Sequence, residues 1–179
     1  QEIPGKLSEG VTYVRVSDSS SALGVIAANF YGNPSEKIKL IGVTGTNGKT
    51  TSVTLMYELF QLLGEKSGLI STVENKIGNE VYKATHTTPN AIELNVLLAK
   101  MVEEECGYCF MEVSSHAVDQ KRIAGVQFSG GVFTNISRDH LDYHKTFENY
   151  LAAKKAFFDG LNSDAFVLTN EDQEHGATR

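Results

Sequence analysis

The sequence has 179 residues, 41% of them hydrophobic, and a formal net charge of −6. That is enough apolar material for a buried core in one or two ordinary domains. The negative balance argues against nucleic acid or an anionic membrane as the main partner, and no apolar run approaches the roughly 20 residues needed to cross a bilayer.

In chain order, "VTYVRV" (11–16) reads as a strand, and "SSALGVIAANFYG" reads as a helix begun by Asp18 or Ser19. Gly, Asn and Pro punctuate 32–37, a predicted linker. "IKLIGVT" (38–44) is an apolar, β-branched strand. From Thr50 to Leu63, apolar residues at 53, 56, 59/60 and 63 make a helical stripe closed by Gly64. "SGLIST" is a second strand, and "NKIGNEVYKATH" reads as a hairpin-like excursion around Gly78-Asn79. Thr88-Pro89 predicts an N-cap with proline at the first helical position, opening a helix through 91–105. "YCFMEV" and "GGVFTNI" are two buried strands, "TFENYLAAKKAFFDGL" is a helix capped by Thr146, and "DAFVLTN" is a last strand. Short apolar strands alternating with amphipathic helices predict an α/β fold with a mainly parallel sheet flanked by helices. The chain begins at Gln1 and the alternation stops without a closing element, so a piece of a longer protein is expected.

Cys106 and Cys109 form a C-x-x-C, but the order is wrong for redox chemistry: a helix ends near Gly107 and Cys109 enters a strand. Two buried, reduced thiols are expected.

"LIGVTGTNGKTT" (40–51) follows a strand and opens a helix, the context in which backbone N–H groups and the helix dipole face an anion. It departs from G-x-x-x-x-G-K-[ST], because Val43 stands where the first glycine belongs. A dinucleotide G-x-G-x-x-G is also missing. Gly45 and Gly48 flank Thr46-Asn47, Lys49 can reach β/γ-phosphates, and the Thr50 hydroxyl can meet Mg2+. Nucleoside triphosphate binding is the reading.

Glu112 lies at the end of a strand, where a sheet delivers carboxylates to its ligand edge. Asp139, His140, Asp142 and His144 follow another strand; His-x-x-x-His without the H-E-x-x-H glutamate argues against zinc. In the 146–161 helix, Lys154 falls on the apolar stripe of Phe147, Tyr150, Leu151 and Phe158. Read from spacing alone, it is either a snorkelling side chain or a buried amine with a depressed pKa.

"GVTGTNGKTT" resembles the phosphate loop of the Mur ligase family, ATP-dependent enzymes that join amino acids to a peptidoglycan precursor, and of their folylpolyglutamate synthase relatives. "MEVSSH", "TNISRDH" and "YLAAK" match further family motifs in order. The resemblance implies a P-loop-type central domain at 37–179, incomplete at its end, after a short remnant (1–36) of the N-terminal, UDP-binding α/β domain. The C-terminal, amino-acid-binding domain would be absent. It implies ATP binding by Gly45, Thr46, Asn47, Gly48, Lys49, Thr50 and Thr51, and magnesium binding by Thr50, Glu112 and His140. Lys154 would carry a CO2-derived carbamate that helps position metal. Lys49, Glu112, His140 and Lys154 are the implied catalytic set, while His144 is left as an ordinary loop residue.

"HTTPN" (86–90) and "SSHAVDQKR" (114–122) resemble the branch of the family that adds a diamino acid, meso-diaminopimelate or L-lysine, to UDP-N-acetylmuramoyl-L-alanyl-D-glutamate. His86, Thr87, Thr88, Ser114, Gln120 and Arg122 would hold that UDP-N-acetylmuramoyl dipeptide. Thr88 would also cap its helix. The implied chemistry is an acyl phosphate, displaced by the incoming amine. A cytoplasmic enzyme, monomeric at full length, is implied, and ligation by this piece alone is not expected. The alternatives are a folylpolyglutamate synthase-like ligase and a non-catalytic nucleotide-binding module.

Overall fold

The computed structural model describes residues 5–170 and 172. Seven strands form one sheet: β1 (Lys39–Thr44), β2 (Ser67–Ile70), β3 (Glu74–Ile77), β4 (Glu80–Lys83), β5 (Tyr108–Glu112), β6 (Gly130–Phe133) and β7 (Phe166–Thr169). Their spatial order is β4-β3-β2-β5-β1-β6-β7. β2, β5, β1, β6 and β7 run parallel, and β3 and β4 are an antiparallel hairpin on one side. The mainly parallel sheet expected from the alternation is therefore present. β1 is central, and five of its six residues are buried, as a strand covered on both faces must be.

The helices are α1 (Ser19–Phe30), α2 (Lys49–Leu62), α3 (Ala91–Glu103), α4 (Ser115–Asp119), α5 (Leu141–His144) and α6 (Phe147–Asp159). Strand alternation sorts their partners. Ile41, Val43, Leu69 and Phe110 pack on Val53 and Tyr57 of α2. Leu40, Met111 and Val113 face the other way, onto Leu94 and Leu98 of α3 and Phe157 of α6. The parallel strands thus end together at one edge, with α2 on one face and α3 and α6 on the other.

Four expectations need correction. No strand forms at 11–16; Val11, Val14 and Val16 are 54%, 75% and 45% exposed and join no ladder, without which an alternating pattern has nothing to stabilise it. The linker contains a 3-10 turn, Pro34–Glu36, whose Pro34 and Ser35 are buried. On α2 the inward face runs through Val53, Met56, Tyr57 and Phe60, while Leu59 and Leu63 stay exposed. Phe60 takes that place because its ring meets Phe110 and Tyr108 edge-on, with centroids 4.9 and 4.6 Å away.

The fourth correction concerns α3. Its N-cap is Asn90, not Thr88: Asn90 Oδ1 accepts from the N–H groups of Ile92 and Glu93, both at 3.0 Å. Asn90→Ala is expected to cost about 1 kcal/mol and lower the thermal midpoint by about 2–4 °C, checked by calorimetry, whereas capping by Thr88 would leave the midpoint unchanged. Asp18 and Thr146 do cap α1 and α6 as expected. Gly78-Asn79 makes the turn between β3 and β4, with Gly78 at φ 54°. Cys106 and Cys109 are free and buried; burial, the larger effect, and the neighbouring Cys106 push the Cys109 thiol far above its ordinary range, which removes it from redox chemistry.

Candidate functional site

The predicted phosphate loop lies between the end of β1 and the start of α2. Gly48, at φ 84°, is the N-cap of α2 and no side chain caps the helix, so its first N–H groups face the loop. Gly45 is required for two reasons. Its φ is +150°, and a Cβ there would stand 2.0 Å from Thr134 Oγ1. The close approach has a purpose: the segment after β6 braces the loop from outside. Asn135 Oδ1 accepts from Asn47 N at 3.0 Å, Asn135 O accepts from Thr46 N at 2.9 Å, and Thr134 Oγ1 donates to Asn47 O at 2.7 Å. Thr46 Oγ1 lies 3.0 Å from the buried Tyr150 hydroxyl and accepts from Ser137 N at 3.0 Å. The loop is held before any ligand arrives, which reduces the entropy lost on binding.

Two lysines converge on one carbonyl. Lys49 Nζ donates to Gly45 O at 2.8 Å and Thr46 O at 2.9 Å. Lys154, only 2% exposed, donates from Nζ to the same Gly45 O at 2.8 Å. Burial lowers the Lys49 pKa, opposed by the charges of Glu112 and Asp139. For Lys154, burial and then the charge of Lys49 push the pKa down to about 7, against Asp139. The Tyr150 ring lies 4.6 Å from this ammonium. Of the two readings of Lys154 left open by spacing, the structure selects the buried amine.

Glu112 is 1% exposed on the α2 side of the sheet. Its Oε1 accepts from Thr50 Oγ1 at 2.9 Å and from Thr72 N at 2.7 Å. A hydroxyl and a carboxylate thus meet at the helix start, oxygen donors of the type magnesium takes, one or two from protein and the rest from water and phosphate. Among the described residues no three His, Cys, Asp or Glu side chains come together to hold a metal ion.

His140 is half-exposed, in a left-handed conformation at φ 51°. Its N–H donates to Asp139 Oδ1 at 2.8 Å, and its ring lies 5.1 Å from His116 and 6.0 Å from Tyr150. His144 is no ordinary loop residue: it is buried in α5, with Nε2 2.9 Å from Ser115 Oγ. Burial lowers its pKa, opposed by the charge of Asp119 and reinforced by His140, and burial followed by the charges of His140 and His144 does the same at His116. The histidine joins the 140–144 segment to the start of α4.

The predicted dipeptide-holding residues form a cluster with one outlier. Thr88 Oγ1 donates to Glu112 O at 2.8 Å and accepts from Ser114 N at 3.1 Å. Arg122 donates to Thr88 O at 2.9 Å and through two nitrogens to Gln120 Oε1. Thr87 Oγ1 accepts from Thr72 Oγ1 at 3.1 Å. His86 is exposed and lies 3.2 Å from Thr85 Oγ1 on its own strand of chain. Thr134, Asn135, Tyr150 and Ser137, which hold the loop, were not singled out. Their local signals were the "TNISRDH" stretch after β6 and, for Tyr150, its place on the apolar stripe of α6.

Residues 43–179 match the family described as the Mur ligase middle domain. A UDP-N-acetylmuramoyl-L-alanyl-D-glutamate--2,6-diaminopimelate ligase of Cytophaga hutchinsonii is 64% identical over 165 residues, 92% of this chain and 34% of the relative. The Bacteroides fragilis protein of the same name is 58% identical over 176 residues, 98% of this chain and 36% of the relative. The chain therefore spans about a third of the length of these relatives. A solved diaminopimelate ligase of that name superposes with a TM-score of 0.74 at 29% identity, over 87% of this chain and 32% of the other. A Helicobacter pylori folylpolyglutamate synthetase shares the fold, with a TM-score of 0.53 at 16% identity over 87% of this chain and 51% of the other. The middle-domain match over 43–179, together with these identities, shows that the chain belongs to the Mur ligase family.

Proposed function

We propose that the protein carrying this chain is a cytoplasmic, ATP-dependent amide ligase that adds 2,6-diaminopimelate to UDP-N-acetylmuramoyl-L-alanyl-D-glutamate. The observation that carries the reading is the convergence of Lys49 and Lys154 on Gly45 O, beside the Thr50–Glu112 pair. The relatives' shared name supplies the substrates, and their identity of 58–64% outweighs a folylpolyglutamate synthetase likeness that concerns the fold alone. The switch-like binding module is disfavoured by the buried lysine, which such a role does not need.

In this reading, residues 37–179 supply the ATP site and 1–36 are the end of a UDP-binding unit. Gly45 to Thr51 cradle the triphosphate. Lys49 leaves the carbonyls of Gly45 and Thr46 to meet the β/γ-phosphates, and the open N-terminus of α2 adds its dipole. Thr50, Glu112, His140 and modified Lys154 would hold magnesium, which supplies charge neutralisation between the attacking carboxylate and the triphosphate. Thr87, Thr88, Ser114, Gln120 and Arg122 orient the dipeptide, with His86 at its margin. Its terminal carboxylate takes the γ-phosphoryl group from ATP, releasing ADP. The amine of diaminopimelate then forms the amide and expels phosphate.

Lys154 is the residue whose chemistry the local environment prepares. Its neutral Nζ can attack the carbon of CO2: an N–C bond forms, one C=O pair moves onto oxygen, and a proton is lost to solvent. A cation becomes an anion. The full-length protein should turn ATP over continuously only when both the UDP-linked dipeptide and diaminopimelate are present, the dipeptide alone giving at most a single turnover of ADP; equal continuous turnover with a dihydropteroate-type substrate and glutamate would refute the assignment.

A further inference from the structure

Two buried side-chain oxygens lack a hydrogen-bond partner among the described residues, Thr44 Oγ1 and Asn95 Oδ1. Asn95 uses its amide on Ala91 O within α3, away from the 45–51 loop on which the two lysines converge. Thr44 is different, because it is the last residue of β1 and precedes the glycine on which both lysines converge. Leaving a buried hydroxyl without a partner is destabilising, so its retention at this position calls for a partner that arrives later.

The direction of the side chain follows from its neighbours. A Cβ on Gly42 would stand 2.6 Å from Phe157 of α6, and Thr44, two residues on, projects to the same face. Its register partner Phe133 also packs toward α6, in a cluster with Tyr150. Gly42 sits opposite Phe157, and Gly45 is bonded by Lys154, one helical turn earlier. Thr44 therefore lies between the levels of Phe157 and Lys154, on the face that Lys154 occupies.

We propose that the Thr44 hydroxyl is the positioning donor for an anionic carbamate on Lys154. This rests on the carbamylation reading above and goes beyond it by naming what holds the group. The carbamate nitrogen keeps one N–H, so the bond to Gly45 O can survive the modification. The two new oxygens are acceptors only, in a buried site where an unpaired anion is costly. Thr44 offers an unspent O–H on that side. The role also accounts for a threonine, and not a valine, at a fully buried strand position where β-branching alone would favour either.

The test is a titration of the full-length protein, free of metal and nucleotide, with 13C-bicarbonate at pH 8, reading the carbamate carbonyl signal by NMR. Thr44→Val removes the hydroxyl at nearly constant shape and should raise the bicarbonate needed for half-modification about tenfold or more. Thr44→Ser keeps the donor and should restore the wild-type curve. If Thr44→Val does not fold, as judged by circular dichroism, Thr44→Ala serves in its place. An unchanged curve in the hydroxyl-free variant overturns the Thr44 proposal while leaving carbamylation intact. No carbonyl signal in the wild type, and none introduced or lost on Lys154→Met, overturns the carbamylation reading itself.

Discussion

Lys49→Ala is expected to lower kcat/KM for ATP in the full-length protein by about 10²–10³-fold, the scale of losing one preorganised charge donor at a reacting group. The side chain is partly buried and its ammonium rests on the carbonyls of Gly45 and Thr46. Those contacts are replaceable within the loop, which Asn135, Thr134 and Thr46 hold independently. The loss should therefore appear in phosphate binding and turnover, with little change in folding stability. Steady-state kinetics with ATP varied, alongside urea unfolding, checks both halves. A variant with normal kinetics would place the triphosphate elsewhere.

Lys154→Met has the second large effect, and its two consequences oppose each other. Activity should be lost, because methionine can neither accept CO2 nor offer magnesium an oxygen donor. Stability should rise. The sign follows from the folded pKa of about 7 against an ordinary value of 10.5. Between these values the unfolded chain binds the proton more readily than the folded one, so wild-type stability increases with pH across roughly pH 7 to 10.5. The penalty is fully present below pH 7 and fades above it. At pH 6.5 in CO2-depleted buffer the methionine variant should be more stable by about 3–5 kcal/mol, with the gain smaller by roughly 2–3 kcal/mol at pH 9. Denaturant unfolding at the two pH values measures it. A gain independent of pH would mean that the buried lysine is not the source.

Local patterns carried most of the fold. The parallel strands were legible as short apolar runs, β3 and β4 as a hairpin around Gly78-Asn79, and the loop at 45–48 because strand, glycines and helix start are contiguous. The exceptions share a physical cause. Residues 11–16 have the alternation of a strand, but nothing in six residues says whether a ladder exists to receive them. Thr88 has the chemistry of a cap and is spent elsewhere, on Glu112 O and Ser114, across 24 and 26 positions. His144 and Tyr150 acquire their places from Ser115 and Thr46, 29 and 104 positions away. Side chains whose partners are distant in sequence can be named as candidates, but their partners emerge only when the sheet brings the loops together. For Lys154 the stripe showed which face it occupies, and the burial and the second lysine that set its pKa became visible in three dimensions.

The central claim is that the 45–51 loop, the Thr50–Glu112 pair and Lys154 make one metal–phosphate site. A crystal structure of the full-length protein, grown with bicarbonate, magnesium and a non-hydrolysable ATP analogue, tests it most directly. The account predicts the triphosphate along the 45–51 loop, magnesium at about 2.0–2.1 Å from Thr50 Oγ1 and a Glu112 oxygen, and carboxylate density continuing from Lys154 Nζ. A triphosphate bound away from the loop, or a Lys154 that remains a free amine on Gly45 O beside bound metal and nucleotide, would contradict it.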